Sequence, residues 1–222
     1  MLIINFIIYF VIQSTLKMED KYLQDISDIK NMMNKSSQFI SLSGLGGIMA
    51  GVYALIGAYI GHELIQNHKS YDNNYLITLE SSTFKSIVLT ALIVLVLSIG
   101  TAFILTISKA KREKESVWNS ASKRLLINFL IPLVTGGIFS LLLLRNGTYG
   151  LIAPVTLIFY GLSCINASKY TLRDVRYLGI TIVIIGLLAT EFSGYGLEFW
   201  ALGFGICHIV YGSMMYFKYD RK

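Results

Sequence analysis

The residues best suited to proton transfer or ligand binding are a few histidines and acids, and His208 is the one that falls deep inside an apolar stretch. A polar or ionisable group in such a stretch is costly to bury and for that reason often marks a functional site. A proton relay would need a second group of matched proton affinity beside the imidazole, and no carboxylate is predicted at the same depth. We therefore favour a structural His208 that hydrogen-bonds a neighbouring helix.

A second group of candidates comprises His62, Glu63 and His68, which follow the first apolar stretch, and Glu191 and Glu198, which flank a later turn. Together they offer nitrogen and oxygen ligands for a divalent metal, but their spacing matches no standard ligand pattern. The sequence also lacks a phosphate-binding glycine loop followed by lysine, an HExxH motif and a nucleophile elbow. We predict no catalytic residue, no metal and no cofactor.

Two amides, Asn128 and Asn166, also fall within or beside apolar stretches, and Pro132 predicts a kink close to the first of them. With His208 they would line the path of a small transporter or channel. Transporters usually show more intramembrane polarity and a clearer internal repeat than this sequence does. Transport is therefore the alternative interpretation.

The composition determines which elements must position these side chains. Of 222 residues, 54% are hydrophobic and 14% charged, which is more apolar surface than a soluble domain of this size could bury. The sequence predicts an all-α, polytopic membrane protein with six transmembrane helices within residues 38–217. The predicted spans are 39–61, 86–107, 125–144, 149–170, 177–190 and 197–217.

The loops between these spans predict an orientation. Sixteen of the 19 lysines and arginines fall on one side, in the N-terminal segment, the 109–124 loop, the 169–176 loop and the 218–222 tail. Because short loops rich in Lys and Arg stay cytoplasmic, both termini are predicted to be cytoplasmic. The net charge of +6 therefore comes from short loops, where basic residues set the membrane topology and contact anionic lipid headgroups. For this reason no nucleic-acid partner is expected.

The N-terminal region has two parts. Residues 1–17 are apolar but short for a span, and we interpret them as an extension upstream of a start at Met18, with an interfacial helix or a seventh span as alternatives. Residues 18–37 place apolar side chains three and four apart, which predicts an amphipathic cytoplasmic helix. This helix would lie against the lipid headgroups or dock a soluble partner or a second subunit.

The first span is rich in small residues. Gly47 and Gly51, and again Gly57 and Gly61, stand four apart, so each pair shares a helix face that another backbone could approach closely. This pattern predicts a central helix in the bundle or the interface of a homo-oligomer.

Three stretches carry a resemblance to known proteins: 39–47, 159–179 and 200–212, the last containing His208. They resemble a group of small, uncharacterised bacterial multi-pass membrane proteins with six spans. The resemblance implies a bacterial inner-membrane protein and implies no activity. We hypothesise a non-enzymatic module that senses or binds a cytoplasmic partner through residues 18–38 and the 109–124 loop, ahead of a transporter and of a membrane enzyme.

Overall fold

The computed structural model describes residues 22, 24, 26, 38–71 and 82–221. The chain divides into two units, Met1–Gln38 and Phe39–Lys222. In the first unit, Tyr22, Gln24 and Ile26 are helical. The rest of the predicted 18–37 helix and the 1–17 extension lie outside the described residues, so both stay predictions.

The second unit is built from six long helices within the described residues. They are α1 Gly44–Tyr71, α2 Ser82–Arg112, α3 Ser120–Arg145, α4 Ile152–Ala167, α5 Asp174–Glu191 and α6 Gly196–Asp220. Two segments of α6, Ala201–Ile206 and Tyr216–Asp220, are π-helical. In the part of the chain that the structure describes, five stretches are long and apolar enough to cross a membrane: α1, α2, α3, α6 and Tyr149–Tyr170, which contains α4. The all-α fold predicted from composition is therefore confirmed for the described residues, and the five stretches fit the predicted multi-pass membrane protein.

The helix that does not meet that criterion is α5. It has 18 residues, about 27 Å at 1.5 Å per residue, and three of them are charged, namely Asp174, Arg176 and Glu191. Its buried residues recur three and four apart, from Val175 to Ala189, which gives one continuous apolar face. That face packs against α4 and α6.

Successive helices run in opposite directions. At one end, which we call the basic end, the Phe39 N–H donates to the Tyr170 carbonyl at 2.8 Å and Lys109 pairs with Asp220. At the opposite or far end, the rings of Phe84 and Tyr149 lie 6.3 Å apart. The 109–124 and 169–176 loops, which carry most of the basic residues of this unit, thus meet at the same end.

The helices differ greatly in how much of their surface is covered. The α1 helix packs between α2 and α6, and α4 packs between α3 and α5. In contrast, none of the most apolar 18 residues of α2 is buried, and only 11% of those of α3 are. These two helices therefore each pack along one neighbour and leave much of their apolar surface exposed, as expected of helices that face lipid.

The α1–α6 contact depends on glycine. A Cβ atom added to Gly51 would lie 2.6 Å from the carbonyl oxygen of Gly205, and one added to Gly212 would lie 2.6 Å from the backbone nitrogen of Ile48. Gly47 faces the same helix, with its added Cβ 3.2 Å from the Gly212 Cα. In this structure α6 of the same chain occupies the Gly47–Gly51 face, which agrees with the predicted central position of this helix, and the homo-oligomer stays a prediction.

The other two glycines of the first span face elsewhere. A Cβ added to Gly57 would meet Val94 of α2 at 2.6 Å, whereas one added to Gly61 would make only ordinary contact with Leu197, at 3.8 Å. A second close crossing joins α4 to α5, where a Cβ added to Gly179 would lie 2.6 Å from the carbonyl oxygen of Gly161. This second crossing was not predicted from the sequence.

We predict that Gly51→Ala destabilises the protein by about 1–3 kcal/mol, because the added methyl group forces the α1 and α6 backbones apart. Gly100→Ala is the matched control, since a Cβ there meets nothing within 4 Å and alanine is the better helix former by about 1 kcal/mol. SDS unfolding in mixed micelles, followed by circular dichroism, measures both. Equal stability of the two variants would contradict the close α1–α6 contact.

Candidate functional site

His208 lies in α6 just after the π-helical segment and is only 6% exposed. Its Nδ1 is 3.0 Å from the Gly203 carbonyl oxygen, and its Nε2 is 2.8 Å from the Tyr160 hydroxyl. Because a carbonyl oxygen only accepts, Nδ1 must carry the proton, and in the neutral ring Nε2 then accepts from the hydroxyl. Both ring nitrogens are therefore satisfied by a neutral imidazole.

The surroundings of this pair are aromatic. The Tyr160 ring lies 4.9 Å from the Phe204 ring and 5.8 Å from the Phe129 ring, the latter edge-on at 90°. The His208 ring lies 5.9 Å from the Phe204 ring at 21°. This packing favours a structural histidine that joins α4 to α6 over a group on a polar path.

Sequence reasoning missed Tyr160 because it precedes His208 by 48 residues. The residue types alone could have indicated the contact. A histidine deep in an apolar helix needs a hydrogen-bond partner, and a tyrosine in a neighbouring span can supply one.

The side-chain amides of Asn128 and Asn166 bond backbone carbonyls and not His208. The Asn166 side chain donates to the Asn128 carbonyl at 2.8 Å, and the Asn128 side chain donates to the Arg124 carbonyl at 2.8 Å. The first bond ties α4 to α3, and the second stays within α3. Both amides thus satisfy backbone carbonyls near the basic end.

The five candidate metal ligands at the far end are not brought together in the structure. His62 lies 3.5 Å from Gln66, one helical turn away, and His68 lies 3.3 Å from the Thr83 hydroxyl. Glu63, Glu191 and Glu198 are exposed. Within the described part of the chain, no three histidine, cysteine or acidic side chains are grouped so that they could hold a metal ion.

The most heavily bonded polar cluster is at the basic end, around Asp220. Lys109 Nζ lies 2.7 Å from Asp220 Oδ1, and the two side chains are 5% and 6% exposed. The other carboxylate oxygen accepts from the Gly44 N–H at 2.8 Å. Arg112 donates to the Asp220 carbonyl at 3.2 Å. The buried Lys109–Asp220 ion pair therefore links the ends of α1, α2 and α6.

Helix electrostatics explain this position for an acid. At the C-terminal end of α6, Asp220 is unfavourably placed with respect to its own helix dipole, but its carboxylate faces the N-terminal end of α1, where negative charge is favoured. The Gly44 N–H is one of the donors that the first turn of α1 leaves without an intrahelical partner. An acidic residue in the last turn of a helix is unfavourable there. Its presence in a sequence therefore indicates that another element of the fold binds the carboxylate.

Residues 218–220 lie within α6, because the π-helical segment continues to Asp220. Asp220, the last residue of α6, pairs with Lys109 of α2 and accepts from the Gly44 N–H of α1. The role of Asp220 was not predicted from the sequence, and the cytoplasmic location of residues 218–222 stays a prediction.

The segment before α1, which we call the anchor segment (residues 39–43), is held by hydrogen bonds from three directions. The Thr171 hydroxyl donates to the Phe39 carbonyl at 2.7 Å, and Lys109 donates to the Leu42 carbonyl at 3.0 Å. The fully buried Ser41 hydroxyl donates to the carboxylates of Glu113 and Glu115 after α2. The chain that leaves residue 38 is therefore bonded to the end of α2 and to the 169–176 loop.

A second ion pair lies beside the first, between Lys218 and Asp174 at 2.9 Å. The Tyr219 hydroxyl also donates to Asp174, at 2.7 Å. Burial alone would raise the pKa of Asp174, but the hydrogen bonds from Tyr219 and Lys218 lower that pKa below its ordinary value. This pair joins the last turn of α6 to the start of α5.

Comparison with protein-family models, with curated proteins and with solved structures gives no match to this chain.

We predict that His208→Gln leaves the free energy of unfolding nearly unchanged, since glutamine still donates and accepts hydrogen bonds. His208→Leu should cost about 0.5–2 kcal/mol, because it leaves the Tyr160 hydroxyl without its acceptor. A double-mutant cycle with Tyr160→Phe, measured by SDS unfolding, reports the coupling between the two side chains. Strict additivity would contradict the assigned bond.

For the buried ion pair, we predict that Asp220→Asn destabilises the protein by about 3 kcal/mol, because it leaves the Lys109 charge buried without a partner. Adding Lys109→Met removes that charge and should recover part of the loss. The exposed Lys218 provides the control, and Lys218→Met should have little effect on the unfolding transition. A double variant less stable than Asp220→Asn alone would refute this explanation.

Proposed function

We propose that this chain is a six-span, non-enzymatic module of a bacterial plasma (inner) membrane, with both termini cytoplasmic, that binds or senses a cytoplasmic partner. The sixth crossing is α5. Since α4 ends at the basic end and α6 begins at the far end, the chain has to travel between the two ends through α5. Its length of about 27 Å is close to the 30 Å hydrocarbon core of a bilayer.

The orientation follows from charge. The basic end carries the 109–124 and 169–176 loops, and short basic loops are retained in the cytoplasm. Exposed cations at this end would also meet the anionic headgroups of the inner leaflet. The basic end is therefore assigned to the cytoplasm.

The observation that carries the proposal is the anchor segment. It is the point at which the Met1–Gln38 unit joins the helical unit, and hydrogen bonds fix it to the end of α2 and to the 169–176 loop. A partner that bound residues before Phe39 would thus act on the anchor segment. Through the hydrogen bond between Lys109 and the Leu42 carbonyl, it would also act on the buried ion pair. Such an arrangement suits a module that relays binding events between the cytoplasm and its membrane helices.

The packing around His208 supports this proposal over transport. A transport path would need the imidazole to face water or a polar cavity, whereas His208 is hydrogen-bonded at both nitrogens among aromatic rings. Asn128 and Asn166 likewise donate to backbone carbonyls.

The topology predicts which positions label from outside. In a background where Cys164 and Cys207 are replaced by alanine, cysteines introduced at positions 70 and 147 should react with an impermeant maleimide added to intact cells. Cysteines at position 115 and at the C-terminus should react only after permeabilisation. Strong external labelling at 115 would overturn the orientation.

Partner binding is tested by photo-crosslinking in intact cells. A photoreactive residue replacing Trp118, which is 64% exposed in the 109–124 loop, should give discrete adducts with another protein. The same residue at Tyr195, which is 61% exposed at the far end, is the control, and Asp220→Asn should weaken the adducts at 118. Equal patterns at 118 and 195, or solute flux in proteoliposomes, would contradict the proposal.

A further inference from the structure

Two exposed arginines, Arg173 and Arg176, stand at the start of α5, at the basic end. The Arg176 N–H donates to the Arg173 carbonyl at 3.1 Å, so the two residues are one helical turn apart. Side chains three residues apart on a helix are neighbours on one face. Two guanidinium groups, each with a fork of N–H donors, are therefore available on the same side of α5.

The acids closest to these arginines in the fold are bonded to other groups. Asp174 turns towards α6, where its carboxylate accepts from Lys218 at 2.9 Å and from Tyr219 at 2.7 Å. Asp220 pairs with Lys109. Among the residues that the structure describes, no acidic side chain pairs with either arginine. Both positive charges thus remain available for an anion from outside the chain.

Further along α5, the face that carries Arg176 becomes apolar and stays exposed. Ile180, Ile184 and Leu187 are exposed and follow Arg176 at spacings of four, four and three, which keeps them on one side of the helix. The opposite side packs against α4 and α6. Tyr177, also exposed, lies between the cations and the apolar stripe, a position typical of interfacial aromatic residues.

Charge and position together select the ligand. A guanidinium fork binds two oxygens of a phosphate group at once, and an apolar stripe below it would be covered by acyl chains. A free phosphate would leave that stripe uncovered. A zwitterionic head group would bring an ammonium close to the exposed Lys169 of the same loop, whereas an anionic head group would not be repelled. These features fit a phospholipid with a net negative charge.

We propose that this face of α5 is a binding site for an anionic phospholipid, with the lipid phosphate on Arg173 and Arg176 and an acyl chain along Ile180 and Ile184. The site rests on the proposed membrane placement of α5, though not on a cytoplasmic partner. It would fix the start of the sixth crossing at the cytoplasmic surface.

The test places a tryptophan beside the site in the full-length chain, reconstituted in nanodiscs. Trp118→Phe and Trp200→Phe remove the two native tryptophans, and Tyr177→Trp then provides a single fluorophore next to the arginines. Lipids with brominated acyl chains that occupy the site should quench its fluorescence.

The matched control is Ile127→Trp in the same background. Ile127 is exposed on α3 and lies four residues after Lys123 and three after Arg124, so this probe also stands just below two cations. Lys123 and Arg124 are consecutive, however, and therefore point to different sides of the helix. The control reports how far any basic helix start enriches anionic lipid.

Brominated phosphatidylglycerol should half-quench the Tyr177→Trp probe at a mole fraction about 5- to 30-fold lower than brominated phosphatidylethanolamine, as expected for one or two cations at a membrane surface. Direct arginine–phosphate contacts should preserve this preference in about 0.5 M NaCl, where the Debye length is about 4 Å. The preference at the Ile127→Trp probe should largely disappear in the same salt. Equal behaviour of the two probes would overturn the site.

A charge-preserving variant separates the site from surface electrostatics. Arg173→Lys combined with Arg176→Lys keeps both charges, and with them the topology, but an ammonium lacks the planar fork that binds phosphate. The salt-resistant preference at the Tyr177→Trp probe should be lost, whereas Arg124→Lys should leave it unchanged. A double lysine variant that keeps the preference would refute the assigned contacts.

Three further outcomes would also contradict the site. If millimolar inorganic phosphate displaced brominated phosphatidylglycerol from the Tyr177→Trp probe, the ligand would be a free anion and not a lipid. If brominated lipids quenched only the Ile127→Trp probe, α5 would not face lipid, although α3 would. If they quenched neither probe, the proposed membrane placement would fail together with the site.

Discussion

The buried ion pair between Lys109 and Asp220 is the interaction on which the basic end of this bundle depends. Removing two charges from water is costly, and the cost is offset by their mutual attraction and by further hydrogen bonds to each group. Here the lysine reaches the carboxylate at 2.7 Å and the Leu42 carbonyl at 3.0 Å, while the carboxylate also accepts from the first turn of α1. Three helix ends distant in sequence are thereby held at one point.

The glycine contacts make that arrangement sterically feasible. In a bilayer no hydrophobic force draws apolar helices together, so association depends on close packing and on hydrogen bonds. The α1 and α6 backbones approach through Gly51 and Gly212, and α4 and α5 approach through Gly161 and Gly179. The Tyr160–His208 bond then joins these two pairs across the aromatic cluster. In contrast, α2 and α3 lie at the periphery and expose apolar side chains.

Much of the fold could be predicted from the sequence because hydropathy and loop charge act locally. The helical, multi-pass character follows from the length of the apolar stretches, and the small-residue face of the first span indicated a close approach. What could not be predicted was the partner across each contact. Asp220 looked like part of a charged tail, and only the three-dimensional structure brings it to Lys109, which lies far earlier in the chain. Tyr160 and Gly179 were missed for the same reason.

The central claim, that one ion pair fixes the ends of α1, α2 and α6 together, is tested most directly by hydrogen–deuterium exchange in nanodiscs. The Gly44 amide, which donates to Asp220, and the amides of residues 109–112 should be protected in the native chain. In Asp220→Asn both should lose protection to a similar extent, while in Asp174→Asn, which removes the charge that pairs with Lys218, they should keep it. Faster exchange confined to the C-terminal residues of the Asp220→Asn variant would contradict the account.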